Sequence, residues 1–153
     1  YITDLDQLLR PDTIVGFILL FIAVSIFAPI GEEILFRGFL QQFLEKHWKD
    51  TTKAILVTSL IFSAIHFNPY WFIQIYLLGI MLGFLTWKTN SVIPSIILHG
   101  LNNTMAMLFS FSDSAESSFY TFNGHVAPWI IVFAVIITIS GFKGISQVKN
   151  KKL

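Results

Sequence analysis

Apolar residues run through this chain in long blocks separated by short polar punctuation. Five blocks read as membrane-crossing helices: residues 13–44, 53–67, 70–87, 91–111 and 126–142. A crossing helix needs ~20 predominantly apolar residues, and the second block is short by that measure. The connections are short, which makes sequence neighbours antiparallel. The expected fold is therefore all-α, a multi-pass transmembrane helical bundle of about five spans. Residues 1–12 read as an interfacial lead-in, 13–142 as the core bundle and 143–153 as a basic tail. Asp12-Thr13 after Pro11 marks a helix start. Residues 45–52 read as a charged loop, Asn68-Pro69 as a turn, 88–90 as a tight connection and 110–124 as a serine-rich external loop. Pro29 and Gly31 are expected to kink the first helix, since proline removes a hydrogen bond and crowds the preceding turn. Gly79 and Gly83 have the small-xxx-small spacing that lets membrane helices pack closely.

Composition supports a bilayer setting. Hydrophobic residues make up 54% of the chain and charged residues 12%, and the mean hydropathy is +0.69. These values are those of a membrane protein rather than a soluble domain. The lipid bilayer is the expected partner, and nothing points to nucleic acid. The chain has no cysteine, which excludes disulfides, thiolate metal sites and a cysteine nucleophile. The net charge of +1 hides an asymmetry. Lys46, Lys49, Lys53, Lys88, Lys143, Lys149, Lys151 and Lys152 fall on one side of the alternating spans. Arg10 stands on the other with Asp4, Asp6, Asp12, Asp113 and Glu116. The lysine side is expected to be cytoplasmic, and with it the C-terminus. A bacterial cell membrane suits this composition. The first residue is tyrosine, so the chain is expected to be a piece of a longer protein, with the number of preceding helices and the oligomeric state left open.

The polar exceptions inside the apolar blocks carry the candidate chemistry. Gly31-Glu32-Glu33-Ile34-Leu35-Phe36-Arg37 places three charges at membrane depth, where each costs at least ~2.5–3.5 kcal/mol and needs a partner or a task. Glu33 and Arg37 are one helical turn apart and can pair. Glu32 points about 100° away, without a partner on its own helix. His66 ends the second block, and His99 and Asn103 share a face of the fourth. At ~1.5 Å per residue, Glu32 lies ~21 Å and His66 ~20 Å from the lysine side, with His99 and Asn103 ~12 and ~18 Å in. Taken singly, His66 and Asn103 read as packing residues, and His47 and His125 as surface loop residues. Four groups at comparable depth on three helices read as a reactive centre. A carboxylate and an imidazole can hold and deprotonate a water, while a second imidazole and an amide can stabilise an oxyanion, the set needed to hydrolyse a carbonyl. There is no HExxH, the aspartates fall outside the spans, and no serine sits in a nucleophile elbow. Zinc or another divalent metal on Glu32, His66 and His99 is a chemical alternative to the preferred metal-free water.

Glu32-Glu33-x-x-x-Arg37, Phe62-x-x-x-His66 and His99-x-x-x-Asn103 resemble, in order and approximate spacing, the three signatures of the CPBP family. This group comprises CAAX-prenyl endopeptidases and bacteriocin-processing or bacteriocin-immunity membrane proteins, also called the Abi family. The resemblance covers about residues 28–103. It implies a helical intramembrane protease, often described as metal-dependent, acting on a peptide or protein near the cytoplasmic membrane face. In that reading Glu32 is the general base, His66 helps to position the water, His99 and Asn103 stabilise the oxyanion, and Glu33 and Arg37 brace the site. The alternative reading is a non-proteolytic immunity or binding protein.

Overall fold

The computed structural model describes residues 11, 13–111, 121–122 and 125–126, with scattered positions between 128 and 144. It is a helical bundle. Helix α1 is a continuous rod, Ile14–Trp48. It is followed by α2 (Thr51–Ala64), α3 (Phe72–Thr89) and α4 (Ile93–Phe111). A two-residue antiparallel pairing joins β1 (Thr121–Phe122) to β2 (His125–Val126). By length and apolarity α1 and α3 qualify as membrane spans. Two of the about five expected spans meet both criteria among the described residues. Helix α2 is apolar but has 14 residues, about 21 Å, against a hydrocarbon core of ~30 Å. Most of residues 126–142, the lead-in and the tail lie outside the described residues.

The sequence explains where these helices begin and end. Thr13 caps α1 by accepting from the Gly16 amide at 3.1 Å. Residues 45–52 are not a loop as expected. Helix α1 runs on to Trp48, Lys49 turns left-handed at φ 54°, and Asp50 caps α2 by accepting from the Lys53 amide at 2.9 Å. A left-handed C-terminal residue followed at once by an acidic N-cap reverses the chain in two residues. His47 accordingly sits in the last turn of α1, stacked 6.2 Å from Phe43, and His125 lies in the β pairing. At the other end of α2, Asn68 Oδ1 accepts from the amides of Tyr70 and Trp71, which starts α3 as the Asn68-Pro69 turn predicts.

Packing is inverted relative to a soluble protein. Glu33, Arg37, Gln41, Thr58, Ser59, Ser63, Ser95 and His99 are buried, while Ile14, Leu19, Phe27, Leu35, Phe39 and Phe43 are exposed. In water such a surface would be an aggregation hazard. In a bilayer it is the expected lipid-facing coat around a polar interior. Two glycines let this interior close. A Cβ on Gly79 would meet Ser59 Cβ at 3.0 Å, and one on Gly83 would meet Ile55 Cγ2 at 3.0 Å, so α3 lies directly on α2. The Gly79/Gly83 stripe is a packing surface, as its spacing predicts.

Around Pro29, where a kink is expected, the helix runs on and changes its hydrogen-bond register. Helix α1 passes through two π-helical segments, Ala23–Phe27 and Ile34–Gln41, on either side of Ala28–Glu33. Upstream of the proline the amide of Ala28 bonds to Ala23, five residues back. Val24 O thereby loses its α-helical donor. Its π-helical donor would be residue 29, which as proline has no N–H. The orphaned carbonyl accepts instead from Asn103 Nδ2 at 3.0 Å. Gly31, also expected at the kink, meets nothing within 4 Å of where a Cβ would be.

Candidate active site

Two adjacent carboxylates divide the polar interior. Glu33 is fully buried, and its Oε1 accepts from Arg37 Nη1 at 2.7 Å and from His99 Nδ1 at 2.9 Å. Arg37 donates onward from Nη2 to the Gly79 carbonyl at 3.1 Å, and its guanidinium lies 4.3 Å from the centre of the Phe62 ring. One turn further, Gln41 Nε2 donates to the Gly83 carbonyl at 3.1 Å and to Glu45 at 3.0 Å. Glu33, Arg37 and Gln41 thus form an i, i+4, i+8 ridge on α1, matched to the Gly79/Gly83 stripe of α3. The pairing expected of Glu33 and Arg37 is present. Full burial makes it costly to break, because either partner alone would be an uncompensated charge.

Glu32 faces the other way. Its Oε2 lies 4.0 Å from His66 Nε2 and 3.8 Å from His99 Nε2. That oxygen is buried without a hydrogen-bond partner, although the side chain as a whole is 30% exposed. The two imidazoles are oriented from behind. His66 Nδ1 lies 2.7 Å from the carbonyl of Phe62. Helix α2 ends at Ala64, so its last carbonyls need new donors. Backbone amides of residues 65–67 take those of Ile61, Ser63 and Ala64, and the His66 ring takes that of Phe62. A carbonyl only accepts, so Nδ1 carries the hydrogen. The same logic holds for His99, whose Nδ1 donates to a carboxylate already paired with arginine. In the neutral rings both Nε2 lone pairs are therefore directed at Glu32. The Phe62 ring fixes their spacing, edge-on to His66 at 4.8 Å and to His99 at 5.6 Å.

Glu32 on α1, His66 in the turn that follows α2 and His99 on α4 come together. Asn103 lies one turn beyond His99 on α4, with its amide nitrogen engaged by Val24. Acceptors 3.8 and 4.0 Å apart can share one water oxygen at ~2.8 Å from each. Tetrahedral zinc, with bonds of ~2.0–2.1 Å, holds its ligands only ~3.4 Å apart. Among the described residues no group of three His, Cys, Asp or Glu side chains is spaced to hold a metal ion. The donor types of Glu32, His66 and His99 suit a metal as well as a water.

Several contributors are not evident from motif reading. They are the Phe62 carbonyl and ring, the Val24 carbonyl and Gln41. Gln41 continues the 33, 37 spacing, and Val24 stands five residues before a proline, so each leaves a trace in the sequence once the π register is known.

The chain is 30% identical over 90 residues to the UPF0177 protein YbdI of Lactococcus lactis, covering 58% of this chain and 48% of that protein. It is 35% identical over 91 residues to the UPF0177 protein YaiF of the same species, covering 58% and 39%. It is 28% identical over 109 residues to an uncharacterised 24.3 kDa protein of Escherichia coli, covering 69% and 50%. The chain spans about half the length of the curated relatives it matches or less. No solved structure matches. The family model described as type II CAAX prenyl endopeptidase Rce1-like matches residues 14–105, the stretch that holds Glu32, His66, His99 and Asn103, and the chain belongs to that family of membrane proteins.

Proposed function

We propose that this protein is an intramembrane endopeptidase that hydrolyses a peptide bond of a membrane-associated peptide or protein with a water activated by Glu32 and His66. The observation that carries the reading is the unpartnered Glu32 Oε2 facing two Nε2 atoms whose rings are locked from behind. In the proposed reaction the water sits between Glu32 and His66. Glu32 takes its proton as the oxygen attacks the scissile carbonyl. His99, when protonated at Nε2, donates to the developing oxyanion, and Glu33 steadies the resulting imidazolium through Nδ1. The proton held by Glu32 then passes to the leaving amine. The proposed reaction uses the water and these side chains alone. The lysine-rich ends of the helices are proposed to face the cytoplasm, with substrate approaching from that side.

The test is the Glu32→Gln variant, purified in detergent and incubated with a library of hydrophobic peptides, with cleavage read by mass spectrometry. The wild-type protein is expected to cut a subset of peptides and the variant none, at unchanged thermal stability. Equal cleavage by both proteins removes Glu32 as the base. Wild-type protein that cuts nothing while still protecting cells from a membrane-active peptide would replace the protease reading with one of immunity.

A further inference from the structure

Asn103 has a partner within the protein itself. Its Nδ2 donates at 3.0 Å to Val24 O, a carbonyl whose α-helical donor, the Ala28 amide, is bonded to Ala23 and whose π-helical donor is missing because residue 29 is proline. The same proline is the missing α-helical donor for Ser25 O. That oxygen packs against Gly100, where a Cβ would come within 2.7 Å of it and 4.0 Å of Pro29 Cγ. Residues 99, 100 and 103 therefore form one docking face on α4. Gly100 and Asn103 seat on the turn before Pro29, and His99 reaches Glu33 one turn after it.

We infer that Asn103 is a positioning residue that closes the backbone gap opened by Pro29 and so fixes the register of α1 against α4, holding Glu32 opposite His66 and His99. The catalytic consequence rests on the protease reading above, but the clasp does not. An unbonded carbonyl in a low-dielectric interior is costly, so α4 is held wherever Val24 O is. A shift of about 1 Å at reacting groups can cost on the order of 100-fold in rate.

The test is a double-mutant cycle of Pro29→Ala and Asn103→Ala. Alanine at 29 restores an N–H to the helix, which supplies Val24 O from within α1. Three readouts are followed in detergent: thermal unfolding, the NMR signals of 15N-labelled histidine side chains, and peptide cleavage. Asn103→Ala in the wild-type background is expected to lower the melting temperature, shift the His66 and His99 Nε2 signals and cut cleavage by on the order of 10–100-fold. In the Pro29→Ala background the same change is expected to alter cleavage by no more than about twofold, with the histidine signals restored. A loss that is equally large in both backgrounds means that Asn103 acts on substrate directly, and overturns the inference. Should Pro29→Ala fail to fold, the carbonyl is read alone. Val24-Ser25 is the one Val-Ser pair in the chain, so 13C-carbonyl valine with 15N serine marks it uniquely. That signal must move in Asn103→Ala, and an unmoved signal refutes the clasp. Intact stability and histidine coupling with no wild-type cleavage would remove the protease reading and leave the clasp standing.

Discussion

Glu32 and Glu33 are consecutive residues on one helix, yet they lie in opposite kinds of environment. Glu33 is held by an arginine and a histidine, and that arginine is held in turn by a carbonyl and an aromatic face. Glu32 has two ring nitrogens opposite its Oε2 and no hydrogen bond to it. The braced side supplies rigidity through four contacts on Glu33 Oε1 and the Arg37 guanidinium, although Glu33 Oε2 and Arg37 Nε are themselves buried without a partner. In the proposed reaction the Glu32 side supplies reactivity, because Oε2 has lone pairs free to accept from a water and is 30% exposed at the side chain, whereas Glu33 is fully buried. His99 connects the two, with Nδ1 on the braced side and Nε2 on the open one.

The comparison is broken most severely by exchanging what each carboxylate loses. Glu32→Gln is expected to reduce peptide cleavage on the order of 10²–10⁴-fold, the usual worth of a general base, with no loss of melting temperature. Arg37→Ala strands Glu33 and should destabilise by about 3–5 kcal/mol, measured by thermal or denaturant unfolding in detergent. If Glu32→Gln destabilised the protein and Arg37→Ala did not, the assignment of brace and working side would be reversed.

A change at the helix contacts is expected to be smaller. Gly100→Ala places a methyl 2.7 Å from a backbone oxygen, which has no rotamer to move away. Gly83→Ala meets Gln41 Oε1 at 2.8 Å, the end of a side chain that can shift, although Ile55 stands at 3.0 Å. Overpacking of this kind costs about 1–3 kcal/mol, and Gly100→Ala should stand at the upper end and Gly83→Ala lower. Equal melting temperatures for the two variants would mean that α4 is free to back away from α1.

The sequence makes the site partly legible, and the reason differs by residue. Glu33 and Arg37 are readable because a charge pair one turn apart needs only local geometry. Glu32, His66 and His99 are readable as a set because polar residues are rare in apolar blocks, and rarity marks a task. The contact of Asn103 with Val24 O is not readable, because it depends on a π register that shifts hydrogen bonding by one residue across Pro29. The Lys49–Asp50 reversal reads as a longer loop in the sequence because charged residues look like loop residues even when they are helix caps. The five-span count rests on each apolar block crossing a bilayer, and α2 is the block whose helix is short for that, ending at Ala64 after 14 residues.

His66→Phe sharpens the contrast between orienting and reacting. It keeps a ring beside Phe62 but removes both the cap on the Phe62 carbonyl and the lone pair facing Glu32. The lost hydrogen bond is worth about 0.5–1.5 kcal/mol, so the melting temperature should fall slightly. Cleavage should fall far more, since the water loses one of its acceptors. A variant that is much less stable yet still active would make His66 a helix cap and nothing else.

Gly31→Ala is the smallest perturbation and tests whether the turn carrying both glutamates must flex. The position is exposed, and a Cβ there meets nothing within 4 Å. Alanine is favoured over glycine in a helix interior by about 1 kcal/mol, so the variant should be as stable as the parent or slightly more so. Its cleavage should also be unchanged, because the orientation of Glu32 is set by α2 and α4 and by the π segments flanking it rather than by a flexible glycine. If Gly31→Ala raised the melting temperature but lowered cleavage, the glycine would be giving Glu32 freedom to move during the reaction, and the open side of the pair would need motion as well as free lone pairs.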